Sequence, residues 1–465
     1  MIYNFVSQVN SVLWGSVLVY LLIAVGIWFS VRLGLLQLRH FGHMFALLKG
    51  SRHSDERGIS SFQALCTSLS ARVGTGNLAG VAIAISLGGP GAIFWMWVIA
   101  FLGMATAYAE SLLAQVYKVH DSNGEFRGGP AYYIQLGLNQ RWLAVLFSLS
   151  LLFGYGFVFS AVQANTIADA LNNTYQFPVM STAAVVTVLA ALIVIGGLRS
   201  IGRFAEIVVP FMGLAFVLTA LTITFMNISL VPDLLLNIVT SAFGWQEAGA
   251  GTFAAALKNG IQRGLYSNEA GAGSVPQAAA SAAPNPNHPA SQGYLQMLGV
   301  FFDTMVVCTC TALVILLAQG GEAGDMEGIR LTQRAMVEHI GPFGSHFVAL
   351  AICLFGFTSI VGNYAYAESN LHFFKLDHRW GRHTFTLIFL SMMFIGCRFD
   401  LVQVWATADM AFGLMAVINV VALLFLTRTI IAVTNDYQRQ RGSANAISFR
   451  VADCKVQGKT EDSIW

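Results

Sequence analysis

Two glycine-rich runs interrupt apolar stretches of this 465-residue chain: Val73-Gly74-Thr75-Gly76-Asn77-Leu78-Ala79-Gly80 and Asn268-Glu269-Ala270-Gly271-Ala272-Gly273-Ser274-Val275-Pro276. Each glycine weakens a helix by roughly 1 kcal/mol relative to Ala, and Pro276 lacks a backbone donor, so both stretches are expected to break near their middles. An opened helix offers two kinds of chemistry. The N-terminus of a half-helix carries unpaired N–H groups and about half a positive charge, which suits a carboxylate. The opposite half-helix end exposes carbonyls, which together with side-chain oxygens suit a hard cation such as Na⁺. Thr75 and Gly76 are the expected carboxylate contacts, because glycine lets a ligand approach the backbone closely, and Asn77 supplies a cation-binding oxygen. Gly271 is the substrate contact expected from the second run, while Gly74, Asn268, Glu269 and Gly273 are expected to support the breaks. Blander readings exist for the same residues. Gly76 and Gly80 also have the GxxxG spacing of helix packing, and Asn77 could simply cap the second half-helix. A nucleotide-binding reading is weak, since no strand precedes Gly74-Thr75-Gly76 and the spacing departs from GxGxxG.

The elements that must position these runs are membrane spans. The chain is 56% hydrophobic and 10% charged, whereas soluble domains are about 25% charged. About twenty apolar residues cross a bilayer, and such stretches recur near 12–32, 62–89, 91–117, 142–171, 178–197, 204–227, 251–282, 293–318, 345–373, 382–397 and 401–427. This predicts an all-α integral membrane protein of about eleven transmembrane helices. Of the 25 Lys and Arg, nineteen fall in alternate loops and the tail if the N-terminus is outside, three (Arg330, Arg334, Arg398) fall on the other side, and Arg72, Lys258 and Arg263 lie within spans. By the positive-inside rule the N-terminus is outside and the C-terminus cytoplasmic. The N-terminal stretch lacks a basic n-region and cleavage site and is expected to be retained.

With the first helix (12–32) set aside, the broken spans are the first and sixth of ten. That is the arrangement of two five-helix repeats of inverted topology, here 60–227 and 251–427, with a site at mid-membrane. Residues 1–435 are expected to form one membrane domain, and 436–465 a cytoplasmic tail that is solvated and poorly ordered. The outer segment Gly320–Gly344, with Glu322, Asp325, Glu327 and Arg330, is too polar to span and reads as an interfacial cap or short helix.

Intramembrane ionisable groups default to functional hypotheses. Most of Glu110, Asp169, Glu206, Lys258, Arg263, Glu269, Asp303, Glu368 and Asp409 are expected near span ends or paired, leaving Glu269 and Asp303 as the groups of interest. Gln163 and Asn165 are polar at plausible substrate depth, and either could equally bond a neighbouring helix. Arg72 is expected to pair with a carboxylate such as Glu269 or Glu110; facing the cavity instead, it would alter ion or substrate preference. The net charge of +2 without long charge blocks points away from nucleic acid, and the six cysteines lack CxxC or CxxH spacing, so neither disulfide framework nor zinc is expected.

The runs Gly74-Thr75-Gly76-Asn77-Leu78-Ala79-Gly80-Val81-Ala82 and Gly88-Gly89-Pro90-Gly91-Ala92-Ile93-Phe94-Trp95-Met96-Trp97 resemble the alanine or glycine:cation symporter family (sodium:alanine symporters). So do Gly128-Gly129-Pro130, Ser267-Asn268-Glu269-Ala270-Gly271-Ala272-Gly273-Ser274 and Asp303-Thr304. The resemblance implies a leucine-transporter-like core of five plus five helices behind one added N-terminal helix, in a bacterial inner membrane. It implies cotransport of a small neutral amino acid, alanine or glycine, with Na⁺ as coupling ion and no cofactor. It places Asn77 at an ion site beside the substrate, and a second ion site between the first and eighth core helices, where Thr358 and Ser359 are the candidates. It also gives Asp303 a role in holding the break or tuning the ion site.

Rival functions are less well supported by the sequence. There is no HExxH motif, GxSxG elbow or clustered histidine for an enzyme, no repeated filter loop for a channel, and no output domain for a sensor. The runner-up is a proton-coupled amino-acid symporter, in which Glu269 or Asp303 carries the proton.

Overall fold

A computed structural model describes residues 2–52, 58–244, 250–318, 328–443 and 446–465; Arg57 and the acidic residues Glu322, Asp325 and Glu327 lie outside the described residues. In chain order, α1 (Asn4–Arg32) is followed by α2 (Phe41–Gly50), by β1 (Ile59–Ser60), and by the two halves of the first broken span, α3 (Ser61–Arg72) and α4 (Gly76–Gly88). Next come α5 (Gly91–Val116), the hairpin β2 (Val119–His120) and β3 (Phe126–Arg127), α6 (Arg141–Tyr175), α7 (Val179–Val194), α8 (Gly197–Met226) and α9 (Val231–Ala242). The second broken span is α10 (Ala250–Asn268) and α11 (Val275–Ala280), after which β4 (Ala282–Ala283) leads into α12 (Pro289–Leu316). The chain closes with α13 (Ile329–Ile340), α14 (Phe343–Ser369), α15 (Arg379–Gly396), α16 (Leu401–Phe425) and α17 (Thr427–Arg441).

Helix therefore occupies all eleven expected stretches. Among the described residues, seven helices are long and apolar enough to cross a membrane. The other expected spans fall short for local reasons: two are broken, α7 has only 16 residues, and α15 begins Arg-Trp-Gly-Arg.

Both breaks have a local cause. α3 starts at a capping box, in which Ser60 Oγ accepts from the Gln63 N–H at 3.1 Å and Gln63 Oε1 accepts from the Ser60 N–H at 3.2 Å. It stops where Val73 swings out to ψ 81°. In the second span Pro276 does not break a longer helix, as expected, but opens α11 in its first turn, where a missing N–H has no helical partner to lose. Gly271 (φ +86°) and Gly273 (φ +83°) make the turn before it, in a backbone region that disfavours side chains.

α11 is short because the chain leaves it to form β4, which pairs in parallel with β1 (Ile59↔Ala282, Ser60↔Ala283). The Ile59 N–H donates to Ser281 O at 3.1 Å alongside. The start of α3 and the end of α11 are thus tied together at the end of the bundle that bears most of the Lys and Arg, hereafter the basic end.

Segment 231–242, between two expected spans, is the amphipathic helix α9, which begins Val-Pro-Asp and buries Leu234, Ile238 and Ala242. One expectation is overturned. The tail is not loose: α17 runs to Arg441 and buries Tyr437 and Asp436, and the residues beyond it dock on the basic end. Trp465 Nε1 donates to Gln115 O at 2.9 Å, Glu461 accepts from His120, and Tyr117 Oη donates to Gln457 O at 2.6 Å. The aromatic and apolar content of the tail, from Phe449 to Trp465, supplies the buried area that its polar stretches obscured in the sequence.

Candidate functional site

The first break is closed by amide side chains. The Gly74 N–H donates to Asn77 Oδ1 at 3.0 Å, and the Thr75 N–H donates to Gln163 Oε1 at 3.0 Å. Gly74 lies hard against Ser359 of α14, leaving no room for a Cβ. Ser359 Oγ donates to Ser70 O, a carbonyl in the last turn of α3, at 2.9 Å. Thr358 instead bonds back to Phe355 O of its own helix at 3.0 Å, a common habit of hydroxyls in membrane helices. Of the two hydroxyls expected near the first break, Ser359 reaches it and Thr358 does not.

Asn77 also ties the two broken spans together. Its Nδ2 donates to Asp303 Oδ1 at 2.7 Å, and Asp303 Oδ2 accepts from Ser267 Oγ at 2.7 Å and from Thr304 Oγ1 at 2.8 Å. Ser267 is the next-to-last residue of α10, and Asp303 sits in a π-helical turn of α12, Phe301–Cys308. Such turns recur at functional sites because they push a side chain out of helical register. Asn77, Ser267, Asp303 and Thr304 are fully buried. Together they form an oxygen-rich cluster of the kind that suits a hard cation.

The second break is held by a residue that sequence reasoning set aside. Glu110 of α5 accepts from the Gly271 N–H and the Gly273 N–H, each at 3.2 Å, and from Asn419 Nδ2 at 2.8 Å. Asn419 in turn donates to Gly271 O at 2.9 Å and accepts from the Tyr133 hydroxyl. Both backbone groups of Gly271, expected as a substrate contact, are thus engaged within the chain, and Gly271 is not among the residues that line the central cavity. Asn268 Oδ1 takes the Ala270 N–H at 3.0 Å, and Glu269 Oε2 accepts from Ser274 Oγ at 2.8 Å. The signal for Glu110 was its position, an acid in the last third of a 26-residue apolar helix.

A small cavity lies between the breaks, lined by Arg72, Gly76, Tyr155, Gln163, Glu269 and Asn363 among others, with free space of about 10 Å³, room for about one water molecule. Gly76 faces it, and a Cβ there would come within 3.3 Å of Tyr266 and of Ser267, so the glycine also serves close packing of the two spans. Asn165 stands apart from this cavity: its Nδ2 donates to the carbonyls of Gly396, Cys397 and Phe399 (2.9–3.4 Å), and it lines a separate vestibule of about 720 Å³ at the other end of the bundle.

The expected pairing of Arg72 does not occur. Among the described residues it makes no ion pair. Nη1 donates to Gln296 O at 3.3 Å, and Nε and Nη2 have no hydrogen-bond partner. The intramembrane Arg263 does pair, with Asp409 at 2.6 Å, and at the vestibule Arg330 meets Asp169 at 2.6 Å.

The vestibule lies at one end of the bundle, and at the basic end buried ion pairs close the surface. There Arg127 Nε meets Asp121 at 3.1 Å and its Nη2 meets Glu125 at 3.3 Å and Glu368 at 3.5 Å, while Arg382 meets Glu368 at 3.4 Å. Burial pushes the nearby Asp377 carboxyl up, but hydrogen bonds from His372 and Ser122 outweigh it and hold the group below the usual carboxylate range.

Residues 1–450 match the model of the sodium:alanine symporter family. This chain belongs to that family. Family members are transporters, and the apolar helices make this one a multi-pass membrane protein. The uncharacterized transporter YaaJ of Escherichia coli is 48% identical over 94% of this chain and 93% of its own. The amino-acid carrier protein AlsT of Bacillus subtilis is 44% identical over 91% and 90%. The crystal structure of MhsT in complex with L-phenylalanine superposes with a TM-score of 0.56, covering 86% of this chain and 92% of that one at 14% identity. That likeness shows the fold: a helical, leucine-transporter-like membrane core.

Proposed function

We propose that this chain is a secondary active symporter that takes up a small neutral amino acid, alanine or glycine, together with Na⁺ by alternating access. The observation that carries the reading is the meeting of two interrupted helices at one buried polar cavity, in a family described by sodium and alanine. The amino acid's carboxylate takes the place of Gln163 Oε1 at the Thr75 N–H, with the Gly76 backbone beside it. Na⁺ sits among Asn77, Asp303, Ser267 and Thr304, and a second ion site lies between Ser359 and the carbonyl end of α3. Na⁺ is transported along with the amino acid, and no cofactor is needed. The repeats run 60–227 and 251–427. The basic end faces the cytoplasm of a bacterial inner membrane, so the sealed end is the inner one and the vestibule opens outward.

A zwitterion carries no net charge, so each Na⁺ entering with it gains about 2.3 kcal/mol per 100 mV. At 1.4 kcal/mol per factor of ten, that sustains roughly a fortyfold amino-acid gradient per ion. The test is radiolabelled alanine uptake into proteoliposomes with an imposed Na⁺ or H⁺ gradient and a valinomycin-set potential. Na⁺-dependent uptake that rises with inside-negative potential supports the reading. A proton gradient that drives uptake equally well without Na⁺ favours the second reading, proton coupling, for which buried Glu269 at the cavity is the carrier.

A further inference from the structure

Arg72 and Glu269 line the same buried cavity and are 1% and 4% exposed, yet no ion pair joins them. Removing a charge from water carries a penalty of several kcal/mol unless partners replace the water. Glu269 accepts from Ser274 Oγ on Oε2; among the described residues Arg72 donates to the Gln296 carbonyl alone, which leaves Nε and Nη2 without an acceptor. Those two nitrogens form one edge of the guanidinium fork, the edge that engages both oxygens of a carboxylate. The other intramembrane arginine, Arg263, has its charge paired by Asp409 through Nη2, although its Nε and Nη1 also lack hydrogen-bond partners; Arg72 differs in having no carboxylate at all among the described residues. Arg72 is thus a buried guanidinium with an unpartnered, carboxylate-shaped edge, lining the same cavity as the buried Glu269 carboxyl.

We propose that Arg72 and Glu269 are the two poles of the amino-acid site: Arg72 takes the substrate carboxylate and Glu269 its ammonium. The inference rests on the transport reading and deepens it, naming the α-amino-acid zwitterion as the ligand and adding side-chain charges to the backbone N–H contacts of Thr75 and Gly76. A zwitterion pairs both charges at once, and neither a simple amine nor a simple carboxylate can. The free space of about 10 Å³ is too small for any amino acid, so the poles draw apart to admit one and close over a small side chain.

The experiment compares wild type, Arg72→Gln, Arg72→Lys and Glu269→Gln in proteoliposomes. Labelled alanine uptake is competed by alanine, by alaninamide (no carboxylate) and by propionate (no ammonium). Wild type is expected to prefer alanine over either analogue by at least about a hundredfold. Arg72→Gln should cut the preference over alaninamide at least about tenfold while leaving the preference over propionate largely intact, and Glu269→Gln should do the reverse. If Arg72→Gln does not fold, Arg72→Lys decides: it keeps the charge but loses the fork, so its KM for alanine should rise at least about threefold, with Na⁺ half-saturation at saturating alanine unchanged. Unchanged discrimination in folded Arg72→Gln, or an unchanged KM in Arg72→Lys, overturns the inference and leaves transport standing. Absence of wild-type uptake of alanine, glycine and glutamine under every gradient overturns the transport reading instead.

Discussion

The two breaks are alike in sequence and are held in opposite ways. At the first, neutral amides close the backbone, with Asn77 on the Gly74 N–H and Gln163 on the Thr75 N–H. At the second, a buried carboxylate, Glu110, takes the N–H groups of Gly271 and Gly273. A neutral hydrogen bond is worth about 0.5–1.5 kcal/mol and one to a charged group about 1.5–3. On the transport reading proposed above, an incoming carboxylate displaces Gln163 at the first break, whereas Glu110 already takes both N–H groups of the second together with the Asn419 amide. That reading gives exchange with ligand to the first break and rigidity to the second.

The largest expected effect tests the rigid half. Glu110→Ala strands two backbone N–H groups and the Asn419 amide, at about 1–3 kcal/mol each, and is expected to abolish a monodisperse peak in detergent size exclusion. Glu110→Gln keeps an acceptor and should fold, with transport reduced roughly tenfold. A Glu110→Ala protein that folds and transports normally would erase the contrast between the breaks.

Gly76→Val comes next. Its side chain would press on Tyr266 and Ser267, already 3.3 Å from a Cβ, and wedge the first break away from α10. The KM for alanine should rise at least about tenfold with membrane insertion intact. Gly80→Ala, whose Cβ would meet Trp405 at an ordinary 3.8 Å, should behave as wild type. Equal damage from both would point to helix packing alone.

Asn77→Ala removes the link between the first break and Asp303. Na⁺ half-saturation is expected to rise about tenfold, which corresponds to about 1.4 kcal/mol, and apparent alanine affinity should fall with it because coupling between two ligands is reciprocal. Uptake measured against Na⁺ concentration at equal reconstituted protein reads both. The smallest effect separates two adjacent hydroxyls: Ser359→Ala, which loses the bond to Ser70 O, should raise Na⁺ half-saturation about threefold, and Thr358→Ala should leave it unchanged. A reversal of that order would move the second ion site one residue along α14.

Both breaks were legible in the sequence because glycine density inside an apolar stretch has one physical meaning, a backbone that must find partners other than its own helix. The identity of those partners was less legible. Asn77 and Asp303 were visible as polar residues in or near family motifs, but Gln163 was indistinguishable from Asn165 until depth was known. One meets the Thr75 N–H, and the other, two residues along the same helix, caps three carbonyls at the vestibule. Glu110 looked like one acid among several because its partners are backbone groups 161 and 163 residues away, which no local pattern encodes. Arg72 is expected to have a partner on the general ground that buried charges pair, yet among the described residues no carboxylate pairs with it. The docked tail was hidden for another reason: its anchors, Phe449, Gln457, Glu461 and Trp465, are spaced to suit the surface beneath them rather than a helix or strand period.

The two-rung ladder between β1 and β4 turns the basic ends of α3 and α11 into a single handle. If the handle moves as one body when access switches, the backbone amide of Ile59 keeps its bond to Ser281 O throughout the cycle and exchanges its hydrogen slowly in D₂O. If the halves part, that amide is uncovered once per turnover, and its exchange rate becomes a clock for the time the carrier spends open on that side.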